Sequence, residues 1–384
     1  MGDIVYLDNN ATTRPLDSVV EAMGPLLAGE YANPSSLHRF GQAVRHRMEC
    51  ARAQVASLVG ADPREIVFTA GGTESINLAI RGTLSASRNK RHLVTSTVEH
   101  SAVRNLARQL RREGYEVTEV AVDRSGRLDL DRLTECLRDD TALISVMYAN
   151  NETGVVFDVD SVAALAAERN IPLHLDAVQA VGKVRIDLAR LPATLMSISA
   201  HKFHGPKGAG ALYVRRGARL RSLQYGGRQE RDLRPGTENV PAIAGMGVAA
   251  EAAANELADG SSLVAHLRDR LEAGLRGSVP RVHINGHGGP RLPNTTNIAF
   301  PGVRAEPLLL TLSEHGICAS SGAACSSGAL EPSHVLQAMG LDAEIIDSSL
   351  RFSLSSFTTE DEVDRALSVI PQIVARLSAI AGDQ

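Results

Sequence analysis

No run in this sequence reaches the roughly 18 apolar residues that a membrane-spanning helix requires. The opening residues, MGDIVYLDNNATTRP, have neither a basic start nor the apolar stretch of a secretory leader. The expectation is a cytoplasmic protein with no membrane partner. Gly2 does not suit myristoylation, because Tyr6 stands where that pattern wants Ser or Thr. Cysteine is scarce: Cys50, Cys136, Cys318 and Cys325 are the only 4 in 384 residues. They are too few and too scattered for a disulfide framework, so a special cysteine here should serve chemistry. An excess of one charge is also missing, since 40 Lys and Arg oppose 44 Asp and Glu for a formal net charge of -4. That balance speaks against a polyanion binder. Seven arginines cluster between Arg215 and Arg234, but acidic residues interrupt them and no aromatic stacking platform accompanies them. The cluster reads as a solvated or subunit-contact surface, and no nucleic-acid partner is expected.

What is present is an alternation. Between residues 66 and 214 short apolar runs, EIVFT, HLVTS, YEVTEVAV, ALISVMYA, IPLHLDA and ATLMSIS, alternate with segments of helical period. Val103, Leu106, Ala107 and Leu110 fall on one helical face. This rhythm predicts an α/β fold with a largely parallel sheet covered on both sides. After about residue 240 come an alanine-rich helix and a second helix. A smaller α/β unit follows, with strands at RVHING, TTNIAF, GICAS and SLRFSLS and helices from Ala305, Ser333 and Thr358. The length suits a large domain, 16–255, and a small one made of 1–15 and 256–384, sharing a cleft.

Ligands of open α/β sheets collect at the carboxyl ends of strands. After EIVFT comes Ala70-Gly71-Gly72-Thr73 and then a helix beginning near Glu74, a seat for phosphate or a plain turn. Asp176 ends an apolar strand, with Gln179 three residues on. A carboxylate there is costly unless something positive meets it, such as a protonated ring nitrogen, though it could also cap the next turn. In SISAHKFHGPKGAGALYV, Lys202 follows a strand that should be buried. A desolvated amine becomes nucleophilic and suits a Schiff base to an aldehyde. Ser199 and His201 flank it and could add phosphate donors. Lys207 better fits a snorkelling loop lysine and His204 a packed loop residue. His201 and His204 lack a convincing third ligand for a metal.

The stretches YLDNNATTRP, NPSSLHRFG, FTAGGTES, VEHSAV, NNETG, HLDAVQAVGK, SAHKFHGPKG, RPGTEN, SSGAACSSG, LEPSHVL and LRFSLS occur in order from Val5 to the C-terminal helix. In these the chain resembles the pyridoxal-phosphate-dependent cysteine desulfurases of the nitrogen-fixation type, within the class-V aminotransferases. The resemblance implies a fold-type I, aspartate-aminotransferase-like homodimer with pyridoxal 5'-phosphate as cofactor. Lys202 would carry the cofactor as a Schiff base, His100 would stack on its ring, Asp176 would pair with its nitrogen and Gln179 would bond its phenolic oxygen. Gly72, Thr73, Ser199 and His201 would hold the phosphate, joined by Thr237 from the neighbouring subunit. Asn151 and Arg351 would orient the substrate carboxylate. His100 could instead cap the helix that begins beside it.

Cys325 lies among Ser, Gly and Ala, which suggests a mobile loop, and it matches the family's nucleophile. Cys318, Cys50 and Cys136 read as inert core residues. A metal pair of Cys318 and Cys325 is the bland alternative, and Cys325 could transiently ligate iron or an iron-sulfur cluster. Ala323 departs from the family pattern, where Ser is more usual, and puts loop polarity in doubt.

The implied reaction converts L-cysteine to L-alanine and leaves a persulfide on Cys325. An iron-sulfur scaffold protein would accept the sulfur, in nitrogenase maturation or in housekeeping delivery. A selenocysteine lyase, or an aminotransferase with no need of Cys325, would use the same cofactor. Outside catalysis, the chain could act as a sulfur-delivery platform that docks acceptor proteins.

Overall fold

The structure, a computed structural model, describes residues 4–87, 89–260, 263–321 and 332–382. Cys325 and Ala323 lie outside the described residues. In chain order the strands are β1 (Val5–Tyr6), β2 (Ile66–Thr69), β3 (His92–Ser96), β4 (Glu116–Val120), β5 (Thr141–Met147) and β6 (Leu173–Asp176). They continue with β7 (Leu195–Ser199), β8 (Gly210–Val214), β9 (His283–Asn285), β10 (Thr295–Ala299), β11 (Ile317–Cys318) and β12 (Ser349–Ser353).

Seven strands form one sheet in the order β2-β8-β7-β6-β5-β3-β4. Neighbours from β4 through β3, β5 and β6 to β7 run parallel, while β8 is antiparallel to both β7 and β2. β2 therefore runs the same way as β7, and the strands ending at Thr69, Ser96, Met147, Asp176 and Ser199 all finish on one edge. β5, β6 and β7 are buried throughout, as strands with both faces covered should be. Their side chains alternate between faces. Phe68, Val94 and Ile144 join a core with helices Arg39–Val59, Val159–Glu168 and Val240–Asp259. Leu93 and Leu143 join helices Gly72–Ala86 and Ser101–Arg112 on the other side, and Val67 packs there too, beside Leu78 and Ala79.

A second core gathers Leu267, Leu271 and Leu275 with Ile298, Leu308, Leu350, Phe352 and Ile370 around the three-stranded sheet β12-β10-β9. That sheet is antiparallel. Val5 and Leu7 belong to this core, because β1 pairs in parallel with β11. The chain's beginning is thus built into the unit formed by its end. No helix among the described residues is long and apolar enough to cross a membrane.

One reading is corrected. Cys50 is exposed and is no core residue. Its helix, Arg39–Val59, buries the stripe containing Val44, Met48, Ala51, Arg52 and Val55, and Cys50 falls outside it. The arginine-rich stretch is largely exposed, at Arg216, Arg219, Arg221, Arg228 and Arg231, and also bonds inward. Arg215 donates to the carbonyls of Ala193, Leu188 and Leu191, Arg231 donates to that of Ile66, and Arg234 pairs with Glu74 at 3.0 Å.

Candidate active site

The loop after β7 carries Lys202 in a single 3-10 turn, Ala200–Lys202. Its Nζ donates to the backbone oxygens of Asn10 at 2.6 Å and Ala11 at 2.8 Å. Burial, helped by the positive charge of Arg351, brings the Lys202 amine down to about 8 against the opposing pull of Asp8 and Asp176. The lysine is therefore seated on carbonyl oxygens, which accept from a neutral amine as well as from an ammonium. This placement answers what holds a lysine at the end of a buried strand.

Asp176 ends β6 beside it, 6% exposed, with Oδ1 accepting the Val178 N–H at 3.1 Å. Burial raises its carboxyl, and His100 and Lys202 oppose the rise. His100 follows β3, with its surface open to water, and accepts the Ala102 N–H through Nδ1 at 3.2 Å. It thus caps helix Ser101–Arg112. The protein around the ring disfavours its cation, and Asp176 pulls the other way.

At the end of β2, Gly71 has φ 153° and ψ -175°, a backbone region that glycine alone enters freely. The helix that follows starts at Gly72, two residues earlier than its sequence suggests, and has no side-chain cap. Its first amides thus face the site without a protein side chain to satisfy them. A Cβ on Gly72 would come within 2.8 Å of Val178 Cγ2 and 3.6 Å of Ser199 Cβ. Thr73, Ser199 and Asp176 are brought to one edge by this close approach. His201 adjoins Thr12, with Nδ1 3.1 Å from its hydroxyl, and burial pushes its imidazole down to about 4.

Arg351, in β12, crosses from the second core into the site. Its Nη2 lies 2.6 Å from Asp8 Oδ1, its Nη1 donates to the Asn151 carbonyl at 3.1 Å, and its Nε is buried without a partner. Asn151 is therefore present through its backbone. Ser333 and His334 attach the segment beyond residue 331 to this edge, donating to Glu152 Oε2 at 2.5 Å and meeting the Glu99 carbonyl at 3.0 Å. Thr237 stands apart, exposed, bordering a cavity of 150 Å³ with Thr69 and Ala70. His204 packs edge-on against Phe357, with centroids 5.2 Å apart, and Lys207 is exposed. Among the described residues no group of three His, Cys, Asp or Glu could hold a metal ion.

Sequence reasoning by residue missed Asn10. Its Nδ2 donates to the Asn151 carbonyl and Thr295 Oγ1, and its Oδ1 accepts from Lys183 and Asn294. Its backbone oxygen accepts from Gln179 Nε2 at 2.9 Å as well as from Lys202. The YLDNNATT motif contains it, but nothing in the motif says that its partners lie 141 to 343 residues away.

These groups suit pyridoxal phosphate. The uncapped glycine turn, with Thr73 and Ser199 beside it, presents donors to an anionic tail. Asp176 would offer a carboxylate to a ring nitrogen, and Lys202 an amine to an aldehyde. The orphaned Nε of Arg351 suits a substrate carboxylate.

The aminotransferase class-V family model matches residues 5–366. A cysteine desulfurase of Nostoc sp. is 51% identical over 378 residues, 98% of this chain and 94% of that protein. The cysteine desulfurase NifS of Azotobacter vinelandii is 49% identical over 98% of this chain and 94% of its own. A solved NifS-like protein superposes with a TM-score of 0.91 at 40% identity, covering 98% of this chain and 100% of that one. With a strand order and a lysine-bearing edge of this kind, and a family match over nearly its whole length, the chain belongs to the aminotransferase class-V family.

Proposed function

We propose that this protein is a pyridoxal-phosphate-dependent cysteine desulfurase, converting L-cysteine to L-alanine and supplying sulfur for iron-sulfur cluster assembly. The observation that carries this reading is Lys202, an amine near pKa 8 held at a strand end beside the buried Asp176. The relatives that share the chain's full length support the same activity.

When bound, the cofactor supplies an aldehyde that captures amines and a ring that withdraws electrons from the substrate's α-carbon. Asp176 would hold that ring's nitrogen protonated, and His100 would cover its face. The amides of Gly72 and Thr73, with Ser199 and His201, hold the phosphate. Gln179 donates to the ring oxygen. Arg351 and Asn151 orient the cysteine carboxylate, Arg351 through its planar fork. Lys202 would serve as the base at the substrate's α-carbon, its low pKa letting Nζ take a proton near neutral pH and return it.

Cys325 is the nucleophile. In the net reaction its thiolate forms an S–S bond to the substrate sulfur as the substrate's C–S bond breaks, and a proton ends on the β-carbon of alanine. The persulfide then passes to an iron-sulfur scaffold, in service of nitrogenase maturation, with Cys325 a transient iron ligand during hand-over. The protein works in the cytoplasm as a homodimer, Thr237 of each chain reaching the other's phosphate seat. The large domain spans 16–255, and 1–15 with 256–384 form the small one.

Incubation of the purified protein with L-cysteine should yield alanine and sulfur in equal amounts, with a change in visible absorbance. Pyruvate in place of alanine, or a protein without such absorbance, would overturn the reading.

A further inference from the structure

Lys183 is the other lysine of this site, and the mechanism above gives it no part. It lies four residues beyond Gln179, in the turns that follow β6, and is half-buried. Its Nζ is 2.7 Å from Gln179 Oε1 and 3.2 Å from Asn10 Oδ1.

The orientation of both amides follows from their partners. The other arm of Gln179 faces the backbone carbonyl of Asn10 at 2.9 Å. A carbonyl only accepts, so that arm is the NH2 and the arm on Lys183 is oxygen. By the same logic Asn10 Nδ2 faces the Asn151 carbonyl at 3.1 Å, which leaves its Oδ1 to Lys183. The Asn10 backbone oxygen that takes the Gln179 NH2 also takes Lys202 Nζ at 2.6 Å. One Gln179 N–H is spent there, and the second remains for a ligand oxygen.

We propose that Lys183 is a positioning residue that pins the oxygens of Gln179 and Asn10, so that Gln179 presents an N–H, and never its oxygen, to the ring oxygen of the cofactor. This rests on the reading of Lys202 as the cofactor lysine. Without Lys183 the Gln179 amide can flip and offer an acceptor to an anionic oxygen, which loses a stabilising hydrogen bond. Burial, with Lys202 and Arg351 facing it, drives the Lys183 amine well below the ordinary lysine range. A neutral amine still has N–H groups for both oxygens and adds no second full charge beside Lys202.

The test is a pH titration of the visible absorbance of purified holoenzyme in four forms: wild type, Lys183→Met, Gln179→Ala and the double variant. A donor to an ionised oxygen lowers the midpoint, so Lys183→Met and Gln179→Ala should each raise it by about one pH unit. The double variant should go no higher than either single one, because both remove the same N–H. An effect of the missing amine exerted through space, on Lys202, Arg351, His201 or His204, would persist without Gln179. Summed shifts, or an unmoved midpoint in Lys183→Met, overturn the proposal. If Lys183→Met does not fold, Lys183→Gln, whose NH2 can still hold one oxygen, should raise the midpoint by less than Gln179→Ala, and an unmoved midpoint there overturns the proposal equally. Wild-type protein with no visible absorbance refutes the cofactor reading itself, an outcome distinct from a normal wild type with unresponsive variants.

Discussion

Arg351 and Asp8 form a 2.6 Å ion pair, with their side chains 6% and 22% exposed. The pair links β12 of the second core to the segment that seats Lys202, and it leaves the Arg351 Nε unpartnered. An entering carboxylate therefore meets a guanidinium already fixed in orientation. Replacing Arg351 with Lys keeps a charge but loses the planar fork. Hydrogen bonds to charged groups contribute about 1.5–3 kcal/mol, so kcat/KM for cysteine should fall roughly 10- to 100-fold, mostly through KM. Steady-state kinetics checks this, and an unchanged KM would remove Arg351 from substrate binding.

The depressed pKa of Lys202 sets the pH dependence of cofactor capture. Below about 8 the amine is mostly protonated and cannot attack an aldehyde, and above it the amine is mostly free. The rate at which cofactor-free protein gains visible absorbance on adding pyridoxal phosphate should climb with rising pH and level off above about 8. A rate that keeps climbing to the ordinary lysine range would show that burial does not tune this amine. Lys202→Ala should show no capture at any pH.

Cys325→Ala should separate cofactor chemistry from sulfur transfer. The variant should keep its cofactor absorbance and respond to cysteine while releasing no sulfide. Cys50→Ala serves as the control: its thiol is exposed but stands on the helix Arg39–Val59, away from the site, and sulfide release should be unaffected. Normal sulfide release from Cys325→Ala would move the nucleophile elsewhere.

Stability should depend strongly on a pair remote from Lys202. Glu230, its side chain 1% exposed, accepts from Arg52 at 2.7 and 2.8 Å and from the Phe68 N–H at 2.7 Å, tying the arginine-rich stretch to β2. Removing one partner of a buried pair typically costs about 3–5 kcal/mol, and Glu230→Ala should show a loss of that order in denaturant unfolding. Glu30→Ala, which breaks the exposed pair with Arg47 at 3.0 Å, should cost under about 1 kcal/mol. Equal effects from the two would contradict the assignment of burial as the cause.

The large sheet was legible because its strands are short, apolar and separated by helices of clear period. HLVTS is β3 from end to end, Asp176 ends a strand of that kind and Lys202 follows one. Local pattern failed where the deciding partners were distant. The exposure of Cys50 depends on which stripe of a 21-residue helix meets the core, and that stripe contains the charged Arg52, held inside by Glu230 from 178 residues away. The helix beginning at Gly72 starts early because Gly71 supplies the turn, a conformational freedom that composition alone does not locate. Asn10 and Lys183 lie within motifs that do not reveal their shared contact, which exists only once segments 173 residues apart meet.

The pairing of β1 with β11 has a consequence for the site. Leu7 bonds to Cys318 and Ser353, and the Asn10 N–H donates to the Ser353 hydroxyl across 343 residues. β1 finds its mate only in β11, and Asn10 is held beside Lys202 only with Ser353 of β12 in place. The seat of the reactive amine therefore depends on contacts between residues 343 positions apart in the chain.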